Sequence, residues 1–142
     1  MKPLLLLTLL LLGFTTLSLS ASAQNYKQIT PGGEIKDEHG ATIGSITKDQ
    51  IILDNKGKKI AFVDTQGNLV DAKTNKKLGR MGKDGKNYYD AQGEIEFKLK
   101  ENGSTCDVYD AKGKKIGNVH SSMKGSACAL ACFEKSHKKK AK

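Results

Sequence analysis

Val108-Tyr109-Asp110-Ala111-Lys112-Gly113-Lys114-Lys115-Ile116-Gly117-Asn118-Val119 is the stretch that decides the fold. Two bulky residues run into an Asp. Three residues later comes a Gly, then an aliphatic residue, a small residue and another aliphatic. An Asp opens a type I turn because its carboxylate accepts from the backbone N–H groups that follow. A Gly three residues on tolerates positive φ and closes that turn, with a bulge, into a β-hairpin. The Val, Tyr and Ile on either side suit strands.

The same phrase occurs four more times upstream. Ile35-Lys36-Asp37 leads through Gly40 to Ile43-Gly44-Ser45-Ile46, and Ile52-Leu53-Asp54 leads through Gly57 to Ile60-Ala61-Phe62-Val63. The third copy, Leu69-Val70-Asp71 to Leu78-Gly79-Arg80-Met81, has one extra turn residue, with Asn75 at the left-handed position. The fourth, Tyr88-Tyr89-Asp90 to Gly93-Glu94-Ile95-Glu96-Phe97, lacks the small residue. A repeat of about 20 residues over five copies marks a repeat architecture and outranks any residue-by-residue reading. The joins carry turn residues of their own, as in Asp64-Thr65-Gln66-Gly67 and Gly82-Lys83-Asp84-Gly85. About ten short strands are expected, preceded by a short lead-in at residues 24–32.

A lone hairpin is barely stable in water, so five must pack on one another. The small residues Gly44, Ala61, Gly79 and Gly117 suggest close backbone approach at one place in each repeat. In a radial arrangement that place is the centre, and ring closure protects the strand edges. After Val119 the pattern stops. Lys124 to Phe133 is small and apolar, a short helix capped by Ser126 or a terminal strand, and is expected to pack on the repeats as a cap. Glu134 to Lys142, with five lysines, reads as a disordered, solvated tail.

The N-terminus has one basic residue, Lys2, a short apolar run from Leu4 to Phe14, and Ala21-Ser22-Ala23. These are the parts of a secretory signal peptide cleaved after Ala23. The apolar run is well short of the about 20 residues that span a bilayer, and no later stretch reaches that length. The expected organisation is a signal peptide at 1–23, a five-repeat β-hairpin domain with its cap at 24–133 and a Lys-rich tail at 134–142. The chain carries 24 Lys and Arg against 15 Asp and Glu, a formal charge of +9.

Taken together, the five repeated hairpins, four of them Asp-x-x-Gly and the third departing in turn length, the leading signal peptide and the Ala-rich apolar end closing in Phe133 resemble the five-fold β-flower proteins, small exported bacterial proteins. The resemblance covers about residues 33–133. It implies an all-β fold of five β-hairpin repeats arranged radially, with a short C-terminal cap. It implies no activity and no catalytic residues.

Little in the chain proposes chemistry. Five repeated aspartates invite a metal or acid–base reading, but each is followed by the Gly or Asn a turn requires, and no loop has the alternating acidic ligands of a calcium site. Cys128, Cys132 and His137, with Cys106, are a possible zinc set at unusual spacing. In an oxidising compartment, one disulfide joining Cys106 to Cys128 or Cys132 is the preferred expectation, with three buried thiols as the alternative. His39 falls in a turn and His120 at a strand end, both read as surface residues. No nucleophile–base pattern or phosphate-binding loop is present, so no cofactor is expected.

Tyr88, Tyr89 and Tyr109 precede turns beside Lys86, Lys112, Lys114 and Lys115, and are the candidate ligand-binding residues. The functional expectation is an exported, periplasmic or secreted, non-catalytic structural or binding module, engaging an anionic envelope polymer or a protein partner through hairpin tips or the ring centre. The alternatives are an electrostatic adapter that docks on anionic lipid or polysaccharide through its lysine tail, and an enzyme or metal protein whose residues do not announce themselves. Nucleic acid is not the expected partner after export.

Overall fold

Each Asp makes the turn that its spacing predicts. In the second repeat the Asp54 Oδ1 accepts from the backbone N–H groups of Lys56 and Lys58, both at 2.9 Å, while Gly57 sits at φ 79°. Asp37, Asp90 and Asp110 hold the same two bonds in their own turns. Asp71 accepts from Lys73 and Thr74 instead, and Asn75 takes the left-handed position at φ 56°, absorbing the extra residue. These bonds favour the ionised carboxylates of Asp37, Asp54 and Asp71 and hold them below the usual carboxylate range.

The computed structural model describes residues 26–140, with side chains through Glu134. The expected signal peptide lies outside the described residues. The strands are β1 (Lys27–Ile29), β2 (Glu34–Lys36), β3 (Thr42–Ile46), β4 (Ile51–Asp54), β5 (Lys59–Val63), β6 (Asn68–Asp71), β7 (Lys77–Met81), β8 (Asn87–Asp90), β9 (Ile95–Asn102), β10 (Thr105–Asp110) and β11 (Lys115–His120). A 3-10 helix (Ser121–Ser126) and helix α1 (Ala129–Lys140) follow. The five repeats are the antiparallel pairs β2–β3, β4–β5, β6–β7, β8–β9 and β10–β11. Each has its register shift between the second and first residues before the Asp. A bulge recurring at one place bends every hairpin alike.

The joins also pair antiparallel, so the strands run around the sheet in chain order. The sheet is closed, an eleven-stranded all-β barrel. The eleventh strand is β1, read from sequence as a lead-in. It pairs antiparallel with β2 and parallel with β11, and so seals the barrel.

Five cross-strand pairs at equivalent repeat positions line the interior: Ile35–Gly44, Ile52–Ala61, Leu69–Gly79, Tyr88–Phe97 and Val108–Gly117. The first member of each is fully buried. Four pairs set a large residue against a small one. The fourth sets two aromatics together, their rings stacked at 4.5 Å and 16°. Such pairs contribute about 0.5–1.5 kcal/mol beyond their burial.

The small residues make room for side chains as well as backbone. A Cβ on Gly117 would come within 2.6 Å of Leu130 Cδ1, and one on Gly44 would meet both the Phe133 ring and the Leu53 carbonyl at 2.5 Å. Ala127 to Ala131 and Phe133 are buried in the same core cluster as the ring of five. The segment expected to pack on the repeats as a cap fills them from within. It is helical, and Ser126 does not cap it: the Ser126 hydroxyl donates to Gln50 Oε1 in the β3–β4 join. Helix α1 also continues through Lys140, where the sequence reads as a disordered tail. Its first turns are held by burial, and lysines in the last turn of a helix favour the negative end of its dipole.

Candidate binding surface

The C-terminal segment runs through the barrel from one end to the other. Ser126 meets Gln50 at the end formed by the joins. Eight residues on, Glu134 Oε1 meets Lys27 Nζ at 2.8 Å, and the same ammonium reaches Glu38 of the first repeat turn at 3.0 Å. Eight helical residues span about 12 Å, close to the length of a four-residue strand. The helix thus leaves the barrel at the end formed by the repeat turns, and Lys135, Lys138, Lys139 and Lys140 lie in its exit turns.

The three candidate tyrosines divide by strand alternation. Tyr88 points inward, fully buried against Phe97, and its hydroxyl has no hydrogen-bond partner among the described residues. Burial, with the nearby Cys128 and Glu96, pushes its pKa far up. It is a core residue, which removes it from any surface site. Tyr89 and Tyr109, each one residue nearer its turn, face outward. The Arg80 guanidinium lies over the Tyr89 ring at 5.6 Å. Tyr109 sits between Lys98 of β9 and Lys115 of β11 in the sheet register. The Lys115 ammonium lies 4.1 Å over the ring of Tyr26.

Among the described residues no disulfide joins Cys106, Cys128 or Cys132. Cys106 is part of the wall, opposite Val119. Cys128 belongs to the enclosed segment, and burial together with Cys132 pushes its thiol up to about 12. Among the described residues, no three His, Cys, Asp or Glu side chains converge as metal ligands. The His137 side chain lies outside the described residues. His120 Nδ1 accepts from the Ser122 N–H at 3.2 Å and caps the 3-10 helix. His39 is exposed in the first repeat turn.

Two polar centres were not legible in the sequence. Lys27 is one, its side chain only 2% exposed between Glu38 and Glu134. Burial alone would lower its pKa, but the hydrogen bonds to Glu134 and Glu38 more than offset this and hold it above the ordinary value. Asp107 is the other, buried on the outer face of β10. It accepts from Asn118 Nδ2 at 2.9 Å, Lys115 Nζ at 3.0 Å and Asn102 Nδ2 at 3.2 Å. These bonds outweigh burial and keep the carboxylate ionised. Both centres join strands or helix to one another and present no open coordination to a ligand. A lysine within the predicted lead-in, and an Asp alternating with core residues, gave no sign of the partners that fold around them.

Among the described residues no helix is long and apolar enough to cross a membrane. Comparison of the chain with protein-family models, curated proteins and solved structures returns no match. The candidate surface therefore rests on geometry alone. It is the turn end of the barrel, where the basic helix emerges, and the outward tyrosine–lysine positions of β8 to β11 beside it.

Proposed function

We propose that the protein is an exported, non-catalytic binding module of the β-flower kind. Its five hairpins are arranged radially around its own C-terminal segment, and its turn end engages an anionic polymer of the cell envelope. The observation that carries this reading is the occupied interior. Leu130 and Phe133 fill the space over Gly117 and Gly44, so a ligand meets the rims and the outer face and not the centre. The emergence of a basic helix among the repeat turns supports the choice of end, since clustered cations raise the local concentration of polyanions.

The test is retention of the chain beginning at residue 24 on polygalacturonate-agarose and on uncharged agarose, beside an unrelated folded protein of equal net charge. Expected is retention at about 20 mM NaCl that outlasts the comparator's in a salt gradient, and earlier elution when residues 135–142 are deleted. Elution together with the comparator would reduce the behaviour to bulk charge and overturn the reading.

A further inference from the structure

The lysines of the repeat turns are unevenly placed. The first turn carries Asp37 and Glu38 and the fourth Asp90 and Glu94, and neither holds a lysine; the fifth, which stands between those two around the barrel, carries Lys112 and Lys114 exposed, with Lys115 paired to Asp107. The second and third turns, with the strand residues that follow them, carry Lys56, Lys58, Lys59, Lys73, Lys76 and Lys77, all exposed. These two turns adjoin. Strands β5 and β6 pair, and the Ala72 N–H donates to the Ile60 carbonyl at 3.1 Å. The carboxylates within the two turns, Asp54 and Asp71, are each engaged by two backbone N–H groups of their own turn. Among the described residues none of the six ammonium groups is in an ion pair, and Lys59 lies 4.5 Å over the Phe62 ring.

We propose that these adjoining turns are a docking site for an acidic polysaccharide, with carboxylate or sulfate groups along its chain. This rests on the reading of the protein as an anionic-polymer module and names the face and the ligand class. Six like charges on neighbouring loops repel one another, and a polyanion relieves that repulsion. The cluster spans four strands, about 14 Å, which an extended polymer covers with several contacts at once. Lysine supplies flexible point charges and not a planar fork, so it follows charges repeated along a chain. Asn55, Thr74 and Asn75 stand exposed between the lysines and offer amide and hydroxyl groups to sugar hydroxyls. Neither turn offers a large apolar side chain to insert into a bilayer, which favours a polysaccharide over a lipid surface.

The experiment uses the chain from residue 24 and two variants, each with four lysines neutralised. The first is Lys56→Gln, Lys58→Gln, Lys73→Gln and Lys76→Gln. The second is Lys48→Gln, Lys83→Gln, Lys86→Gln and Lys100→Gln, exposed positions elsewhere. Circular dichroism melts establish that both fold. Binding of labelled oligogalacturonate, neutral dextran and phosphatidylcholine vesicles containing phosphatidylglycerol is then measured at low and physiological salt. Expected is a loss of oligogalacturonate affinity of about tenfold or more in the first variant and less than about threefold in the second. Dextran is expected not to bind. Equal losses in the two variants, or tighter binding to the vesicles than to oligogalacturonate, would overturn the docking site and leave the module reading standing. A parent chain that binds neither anionic probe would sink both.

Discussion

Lys27 Nζ and Glu134 Oε1 meet at 2.8 Å although 107 residues separate them in the chain. The pair joins the strand that closes the barrel to the helix that fills it. Glu38 completes a three-membered bridge at the turn end. The ammonium is buried, while both carboxylates stay partly in water.

Lys27→Met is therefore expected to lower stability by about 1–3 kcal/mol, at or below the range for breaking a buried pair, because the orphaned carboxylates can be hydrated. Glu134→Gln should cost less, since Glu38 remains. The pH dependence has a definite sign. A raised lysine pKa stabilises the fold fully below the ordinary value of 10.5 and ceases to do so as pH rises through the folded value. Thermal melts from pH 8 to 11 should show an alkaline decline that is shallower in Lys27→Met. An identical decline would show that the bridge does not govern it.

The Tyr88–Phe97 stack makes two opposite predictions. Tyr88→Phe removes a buried hydroxyl without a partner and keeps the ring, so stability is expected to hold or to rise by up to about 1 kcal/mol. Phe97→Gly restores the small residue seen in the other repeats but empties the stack, at about 3–5 kcal/mol or more. Denaturant melts of both variants distinguish a packing role for the pair from mere repeat regularity.

Gly44 and Gly117 differ in what opposes a side chain there. At Gly117 the nearest atom is the end of Leu130, a flexible group, whereas at Gly44 it includes the Leu53 carbonyl. Gly117→Ala combined with Leu130→Ala should recover part of the stability that Gly117→Ala loses. Gly44→Ala combined with Phe133→Ala should recover little. Full recovery in the second case would mean that the helix alone, and not the wall, dictates the glycine.

Thiol reactivity reports on the enclosed segment. Cys106 and Cys128 are fully buried, and the Cys128 thiol is pushed up to about 12, so little thiolate forms at neutral pH. A maleimide reagent at pH 7 is expected to label Cys132 first and to reach Cys106 and Cys128 only with global unfolding. Prompt labelling of Cys128 would mean that the segment leaves the barrel readily.

The repeat was legible because its cause is local. Asp54 and Gly57 fix a turn within five residues, and alternation then assigns Ile52 and Ala61 to one face. The same alternation separates Tyr88 from Tyr89, which proximity to lysines obscured. What escaped was non-local. Nothing near Lys27 says that a three-residue strand will lie parallel to β11, and nothing near Gly44 says that the vacancy belongs to Phe133. The helix beyond Glu134 was hidden by its lysines, which read as a solvated tail when taken without the buried turns that start it.

Closure by β1 also sets a timetable. The chain leaves the ribosome N-terminus first, so Lys27 to Ile29 is among the earliest parts of the barrel made, while Gly117 to Val119, its parallel partners, are among the last. At about 5–20 residues per second the strand waits roughly 5–20 s for its mate. A sheet that lacks this pairing is open and unfilled, with only three-residue strands at its leading edge. The molecule is completed at its seam, where the first strand of the barrel meets the last.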